Sequence, residues 1–138
     1  MSYLLDTNVL SETSKSRPDP KVAAWLWSAG SQRLYTSAIT IGEIEQGISR
    51  LRRRGDEQQA ARLNGWLSDV VNLFEDRVVP VTIQIAREWG RLSGASSIPA
   101  IDGLIGATAR VHGWTVVTRN VKDFASLDVP VLNPFTGD

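Results

Sequence analysis

Short apolar runs alternate with longer helical patterns along most of this chain. The run 114–118 is the clearest strand pattern, because it is β-branched and apolar throughout, as a parallel strand covered on both faces should be. Shorter runs at 3–5, 33–37, 78–81 and 129–132 predict four further strands. Strands that alternate with helices over short links indicate an α/β fold, namely a three-layer α/β/α sandwich with a mainly parallel five-stranded sheet.

Apolar residues repeat with helical spacing between these runs. Ile41, Ile44, Ile48 and Leu51, for example, form one face of a long helix that follows the second strand. Pro80 in the third strand pattern indicates a strand at the edge of the sheet or the end of a strand. The helices are predicted at about 22–29, 40–55, 56–74, 82–93 and 99–113, with a loop at 93–97.

The amino-acid composition limits which types of metal site the chain can form. Its 138 residues suit a single domain, residues 1–138, and lysine plus arginine equal aspartate plus glutamate at 15 each. Cysteine is absent and histidine occurs once, which excludes thiolate and polyhistidine metal sites. Any bound metal would therefore have oxygen ligands, which favours Mg²⁺ or Mn²⁺. No apolar run approaches the ~20 residues that span a bilayer, and the N-terminus is unlike a secretory signal, so we expect a cytoplasmic protein without a membrane partner.

Four acidic residues lie at related places in the predicted fold. Asp6, Glu43, Asp102 and Asp123 each follow a short apolar run or lie near the start of a helical pattern. In an open α/β sheet, the ends of the strands and the starts of the following helices converge on one crevice. Carboxylates that are gathered there repel one another unless a divalent cation holds them together. The pattern therefore predicts a metal-dependent enzyme.

Three of these acids also have purely structural interpretations. Asp6 could be a helix N-cap, a role that aspartate commonly takes. Thr40 and Glu43 have the spacing of a capping box, in which the glutamate bonds back to the amide of the cap residue. Asn120 and Asp123 fit ordinary turn chemistry. These interpretations do not exclude a functional role.

Asp102 is harder to explain by structure alone. The helix around it is apolar on nearly every side, so we expect the helix and Asp102 to be largely buried. A buried aspartate needs a partner, yet Ile105 and Gly106 occupy the i+3 and i+4 positions. A metal ion or polar groups from elsewhere in the fold must satisfy this carboxylate.

Four short motifs occur in order along the chain. They are Asp-Thr-Asn at 6–8, Thr-x-x-Glu-Ile at 40–44, Asp-Gly-Leu-Ile-Gly-Ala-Thr-Ala at 102–109 and Thr-Arg-Asn-Val-Lys-Asp-Phe at 118–124. Together these motifs resemble the PIN-domain family, and most closely the VapC or FitB-like toxins of bacterial type II toxin–antitoxin modules. The resemblance covers essentially the whole chain.

This resemblance implies a Mg²⁺- or Mn²⁺-dependent endoribonuclease whose catalytic acids are Asp6, Glu43, Asp102 and a fourth residue. Many relatives carry an aspartate where this chain has Asn120, so either Asn120 or Asp123 completes the site, and Asp123 is the predicted fourth acid. Asp6 and Asp102 are the predicted metal ligands. The resemblance also implies a homodimer and inhibition by a small cognate antitoxin.

Other polar residues near the motifs are expected to support catalysis. Thr7, Asn8, Thr118 and Asn120 are predicted to position water or phosphate, and Arg50, Arg53 and Arg119 are predicted to contact the RNA substrate.

Two other functional classes remain as alternatives. One is a catalytically silent PIN-fold interaction module, against which the unpaired Asp102 argues. The other is a different Mg²⁺-dependent phosphohydrolase.

Overall fold

Five strands alternate with seven helices in the computed structural model, which describes residues 1–94 and 97–137. The strands are β1 (Tyr3–Leu5), β2 (Leu34–Ser37), β3 (Val78–Val79), β4 (Thr115–Val117) and β5 (Val131–Leu132). The helices are α1 (Thr7–Leu10), α2 (Pro20–Ala29), α3 (Ala38–Arg53), α4 (Glu57–Phe74), α5 (Ile83–Ser93), α6 (Ala100–His112) and α7 (Val121–Phe124). None of the helices within the described ranges is long and apolar enough to cross a bilayer.

The strands form one parallel sheet in the order β3-β2-β1-β4-β5. The chain runs from the central β1 outward to β2 and β3, then crosses to β4 on the other side of β1. The order therefore reverses between β1 and β4, where Leu5 is in register with Val117. In open α/β sheets the ligand crevice lies outside the carboxyl ends of the strands at such a switch point.

Each face of the sheet carries its own apolar core. Leu5 and Val117 pack against α1, α2, α3 and α4, whereas their neighbours Leu4 and Val116 pack against residues of α6 and α7 on the other face. Helix α5 lies on the same side as α6, against which it packs extensively. The predicted three-layer α/β/α architecture is confirmed, with a sheet that is parallel at every observed pairing.

The observed strands are shorter than the predicted ones. Strand β2 begins at Leu34 and not at Arg33, because Arg33 is the last residue of a 3₁₀ turn. This turn follows Gly30, which adopts a positive φ of 84°. Pro80 has no N–H for the hydrogen-bond ladder, so β3 stops at Val79. The strand lies at the edge of the sheet, as the proline indicated. The amide of Trp114 donates to the carbonyl of Ala109 and completes the end of α6 instead of pairing with a strand.

Helix α3 begins two residues earlier than predicted, and the capping-box interpretation is wrong. The cap is Ser37, the last residue of β2, whose hydroxyl accepts a hydrogen bond from the amide of Ile39 at 3.1 Å. Glu43 therefore lies in the second turn of the helix. Thr40 is fully buried, and its hydroxyl has no hydrogen-bond partner within the described part of the chain.

Two short helices, α1 and α7, were not predicted. Each has four residues, which is too few to show a helical repeat. The predicted loop at 93–97 is only partly observable, because Ser93 is the last residue of α5 while Ala95 and Ser96 lie outside the described residues. The other predicted helices match α2, α4, α5 and α6 to within a few residues.

Candidate functional site

Asp6 lies where β1 meets α1, at the switch point of the sheet. Its amide donates to the carbonyl of Val117 at 2.9 Å, so pairing with β4 extends as far as this residue. Its side chain then caps α1, because Oδ1 accepts a hydrogen bond from the amide of Thr7 at 2.8 Å. Asp6 is 4% exposed. The N-cap interpretation is correct, and the same geometry places the carboxylate at the carboxyl edge of the sheet.

A network of polar groups holds the second oxygen of Asp6. The buried hydroxyl of Thr118 donates to Oδ2 at 2.8 Å, and the amide group of Asn8 lies 3.4 Å from the same oxygen. Thr118 in turn accepts from the backbone amide of Asn120 at 3.0 Å. The side-chain oxygen of Asn8 also accepts from the amide of Arg119 at 3.0 Å, which ties the start of α1 to the loop after β4.

Glu43 approaches this network from α3. Oε1 of Glu43 accepts a hydrogen bond from the hydroxyl of Thr7, although the two residues are 36 positions apart in the sequence. Burial is the largest cause that raises the pKa of Asp6, and repulsion by Glu43 and Asp123 raises it further. Hydrogen bonds from Thr118 and Thr7 act in the opposite direction and stabilise the Asp6 anion.

Asp102 lies in the first turn of α6 and faces the same group of charges. Burial and the nearby anions Asp6, Asp123 and Glu43 raise its pKa from 3.8 to about 6. The expectation of a largely buried side chain is wrong, because Asp102 is half-buried while the next turns of α6 form the buried part of the helix. In the ranges 1–94 and 97–137, the structure gives the side-chain carboxylate of Asp102 neither a hydrogen bond nor an ion pair.

Asp123 lies in α7, after the strongest strand. Its charge raises the pKa of both Asp6 and Asp102, so it interacts with both predicted metal ligands. Asn120 is uncharged and exposed, and it contributes its backbone amide to Thr118 without a side-chain cap to α7.

The four carboxylates interact with one another electrostatically, and we call this group the acidic pocket, but they do not form a preformed ligand shell. No group of three or more His, Cys, Asp or Glu side chains in the described chain is spaced to hold a metal ion. However, none of the ion pairs between described residues involves Asp6, Glu43, Asp102 or Asp123. Carboxylate oxygens are the ligands that a hard divalent cation prefers. Such a cation would offset the mutual repulsion of these four carboxylates, so their chemistry suits a metal site.

A cleft of about 420 Å³ adjoins this pocket, with Thr7 and Glu43 in its wall. Its other lining residues include the apolar side chains of Ile44, Leu63 and Trp66. Lys15 and Arg62 also line the cleft, and neither was predicted to be functional. These two residues are 47 positions apart and belong to no motif, so the sequence carries no local signal for them.

The three predicted RNA-contacting arginines have different positions. Arg50 and Arg53 are exposed in the last turns of α3 and do not line the cleft. Arg53 is ten residues beyond Glu43, a separation of about 15 Å along the helix axis. Arg119 is next to Thr118, and its guanidinium lies 3.8 Å from the ring centroid of Phe135. The structure therefore brings the backbone of Arg119 to the acidic pocket but leaves Arg50 and Arg53 away from it.

A parallel sheet with this strand order and acids at its switch point defines a PIN-type domain. The family model described as "PIN domain" matches residues 3–130, and the chain belongs to the PIN-domain family. It is 35% identical to Toxin FitB of Neisseria gonorrhoeae, with 96% of this chain and 97% of that protein covered. It is 34% identical to VapC ribonuclease Y4jK of Sinorhizobium fredii, with 96% of each covered.

The fold agrees with these sequence relationships. The crystal structure of FitAcB from Neisseria gonorrhoeae superposes with a TM-score of 0.85 at 34% identity, covering 96% of this chain and 98% of that one. The resemblance to VapC and FitB-like proteins that the four motifs indicated is therefore confirmed, as is the PIN-like fold.

Proposed function

We propose that this chain is a metal-dependent endoribonuclease and the toxin of a type II toxin–antitoxin pair. The observation that carries the proposal is the convergence of Asp6, Glu43, Asp102 and Asp123 at the switch point of the sheet without a cationic partner among the described residues. Full-length similarity to proteins named as a toxin and as a ribonuclease supports it. Residues 1–138 would act as one domain in the cytoplasm.

Asp6 and Asp102 would hold the metal ion, with Glu43 and Asp123 as further acidic ligands or charges. A bound Mg²⁺ or Mn²⁺ neutralises charge on the attacked phosphate and lowers the pKa of a water molecule. The protein itself supplies orientation: Thr7 and Thr118 each donate to one of the acids, and Asn8 links α1 to the loop after β4. Such fixed side chains spare the site the cost of reorganisation during the reaction.

Asp123 is proposed as the fourth acid in place of Asn120. Its negative charge acts on both Asp6 and Asp102, whereas Asn120 is neutral. Asn120 would support the site through its backbone amide, which donates to Thr118. Hydrolysis would leave 5′-phosphate and 3′-hydroxyl ends, as the family resemblance implies.

The substrate would be single-stranded or loop RNA, because a recessed acidic pocket must reach an exposed backbone. Arg119 is next to the pocket and is the best placed of the three predicted RNA contacts. Arg50 and Arg53 would contact more distant parts of the RNA. The proposal also includes a homodimer and a cognate antitoxin as partners, both of which follow from the resemblance to VapC and FitB-like toxins.

A catalytically silent interaction module is the main alternative. Such a module gains nothing from four uncompensated carboxylates, which destabilise the folded state through mutual repulsion. The pKa of about 6 at Asp102 therefore favours a metal site over a silent scaffold. Another Mg²⁺-dependent phosphohydrolase remains the second alternative.

The proposal is tested by RNA cleavage and metal binding measured side by side. A fluorescently labelled single-stranded RNA is incubated with the parent protein, Asp6→Asn, Asp102→Asn and the control Asp69→Asn, which removes an exposed carboxylate from α4. We expect Mg²⁺-dependent cleavage by the parent and the control, and a loss on the order of 100-fold or more in both site variants.

Mn²⁺ titration by calorimetry provides a readout that does not depend on activity. The parent and Asp69→Asn should release or absorb heat on binding, and Asp102→Asn should not. Undiminished cleavage by both site variants, or a parent that neither binds Mn²⁺ nor cleaves RNA, would refute the proposal.

A further inference from the structure

The cleft beside Glu43 continues into a second depression with a basic rim. The second depression, of about 530 Å³, is lined by Lys15, Ser16, Arg17, Gln59 and Arg62. Lys15, Gln59 and Arg62 line both cavities, so the two are contiguous. A path therefore runs from the acidic pocket along the cleft to three cationic side chains. We call Lys15, Arg17 and Arg62 the basic rim.

Most of the positive charge of the basic rim is not neutralised. Arg62 donates to Oε1 of Gln59 at 3.0 Å and to the carbonyl of Ser14 at 2.7 Å, and both acceptors are neutral. Arg17 forms no ion pair with any described residue. Lys15 is paired with Glu12 at 2.9 Å, and the hydrogen bond from Lys15 keeps the pKa of that carboxyl low. The rim thus carries three cations against one carboxylate.

The hydrogen bonds of Arg62 also fix its position. Its contact with Ser14 joins α4 to the 3₁₀ turn after α1, across 48 residues of sequence. A guanidinium that is already held in place loses little side-chain entropy when it binds an anion. Trp66, one turn further along α4, is held similarly, because its Nε1 donates to the hydroxyl of Thr13 at 3.0 Å.

Binding of RNA beside the acidic pocket requires cations nearby that attract its phosphates. Four carboxylates repel a polyanionic substrate, and the protein as a whole has no net positive charge to attract it. Proteins that bind single strands combine cations that contact phosphates with apolar and aromatic surfaces that contact bases. Here the cleft offers Ile44, Leu63 and Trp66 beside the cations of the basic rim.

We infer that Lys15, Arg17 and Arg62 bind backbone phosphates of single-stranded RNA next to the cleavage position, while bases of the same segment occupy the apolar cleft. The inference rests on the proposed ribonuclease function and deepens it by assigning a substrate path. It gives the main RNA contacts to residues of the cleft instead of Arg50 and Arg53, which lie outside both cavities.

The test measures RNA binding without cleavage. A fluorescein-labelled, uridine-rich single-stranded RNA is titrated with the Asp6→Asn protein at constant Mg²⁺, and anisotropy gives the Kd over a series of KCl concentrations. The test variant adds Arg17→Gln and Arg62→Gln. Lys15 is left in place, because its loss would leave the buried Glu12 unpaired. A matched control adds Arg33→Gln and Arg87→Gln, two exposed arginines that line neither cavity.

Each lost phosphate contact lowers the slope of log Kd against log salt by about 0.7 for single strands. We therefore expect the test variant to bind on the order of tenfold more weakly at 0.1 M salt, with a slope lower by about 1.4. The control should match the Asp6→Asn protein. Arg62→Lys, which keeps the charge, should retain most of the affinity, and thermal unfolding followed by circular dichroism verifies that each variant is folded.

The outcomes separate this inference from the proposed function. An unchanged Kd and slope in the test variant would overturn the inference, and RNA cleavage by the parent would then still support the ribonuclease proposal. Unchanged RNA binding together with loss of binding to a co-expressed antitoxin would assign the basic rim to a protein partner and would also overturn the inference. A parent that neither cleaves nor binds RNA would overturn both.

Discussion

The hydroxyl of Thr118 donates a 2.8 Å hydrogen bond to Oδ2 of Asp6, joining the ends of β4 and β1 across 112 residues of sequence. Both residues are buried. The bond stabilises the ionised form of Asp6, which burial and the neighbouring acids disfavour. It therefore connects the stability of the central strand pair with the charge state of the acidic pocket.

Thr118→Val should destabilise the protein by about 1–3 kcal/mol, because the near-isosteric side chain lacks the hydroxyl that donates to Oδ2 of Asp6 and accepts from the amide of Asn120. It should also raise the pKa of Asp6 further. Urea unfolding at neutral pH measures the difference, and Thr118→Ser is the control because it keeps the hydroxyl. A valine variant as stable as the parent would show that the hydroxyl contributes nothing.

Asp102→Asn should stabilise the metal-free protein near pH 7. The pKa of Asp102 is about 6 in the folded state against an ordinary 3.8, so folding favours its protonated form. The stability that this preference contributes is fully present below pH 3.8 and is lost as the pH rises through 6. Removing the charge should raise the free energy of unfolding on the order of 1 kcal/mol, since Asp102 is partly exposed and its repulsion is screened.

Urea unfolding in EDTA from pH 3.5 to 8 measures this effect. The gain from Asp102→Asn should disappear towards the acid end of the range, where the carboxyl of the parent is protonated. A variant that is less stable than the parent at pH 7 would mean that Asp102 makes a structural interaction that outweighs the repulsion.

Asp123→Asn should lower the pKa of Asp102, because one of the three anions that raise it is removed. It should also weaken Mn²⁺ binding. Asn120→Ala should change neither quantity, because it keeps the backbone amide that donates to Thr118. Carboxyl ¹³C NMR titration and calorimetry measure the two effects. If Asn120→Ala weakens Mn²⁺ binding more than Asp123→Asn does, the assignment of the fourth position is reversed.

The acidic residues could be predicted from the sequence because of a general property of parallel sheets. All strands of such a sheet end at the same edge, so an acid after β1 and another after β4 must come near each other once both strands are recognised. Asp6 and Asp123 could therefore be placed without knowledge of any contact. The buried strand β4 was recognisable because its β-branched residues form a continuous apolar run.

The role of Glu43 within its helix was harder to predict. Thr40 and Glu43 have the spacing of a capping box, but the true cap is Ser37, which also ends a strand. Local spacing could not show this, because the start of α3 is set by where β2 leaves the sheet. The hydrogen bond from Thr7 to Glu43 and that from Arg62 to Ser14 link distant segments, and neither has a counterpart in the local sequence pattern.

Ser37→Ala should destabilise the protein by about 1 kcal/mol, because the amide of Ile39 loses its capping acceptor. Thr40→Val should be neutral or stabilising, since it removes a buried hydroxyl that lacks a partner among the described residues and keeps the side-chain shape. Thermal unfolding of the two variants decides between the observed cap and the capping box. A larger loss in Thr40→Val than in Ser37→Ala would favour the capping box.

Gly103→Ala should destabilise the protein by about 1–3 kcal/mol. A Cβ at this position would lie 2.9 Å from Cδ1 of Trp89, and a rigid indole that packs between α5 and α6 has little room to move. The resulting shift of α6 should also displace the adjacent Asp102 and weaken Mn²⁺ binding. Gly65→Ala is the control, because a Cβ at Gly65 in α4 meets open space.

The control should stabilise the protein by about 0.5–1 kcal/mol, the gain in helix propensity from glycine to alanine. Both variants are compared by urea unfolding and by calorimetry with Mn²⁺. Gly103→Ala with parental stability and parental Mn²⁺ binding would show that the contact between the two helices is more tolerant than the structure indicates.

The pairing of β1 with β4 also has a consequence for the order of events during synthesis. Leu5 is synthesised 112 residues before its register partner Val117. Pairing between strands so distant in sequence has a large entropic cost of loop closure. This cost is offset only when the contacts between the strands form, so the pair forms late in folding. Asp6 therefore lacks its hydrogen-bond donor Thr118 until β4 has been synthesised. A nascent or prematurely terminated polypeptide that ends before residue 115 cannot assemble the acidic pocket.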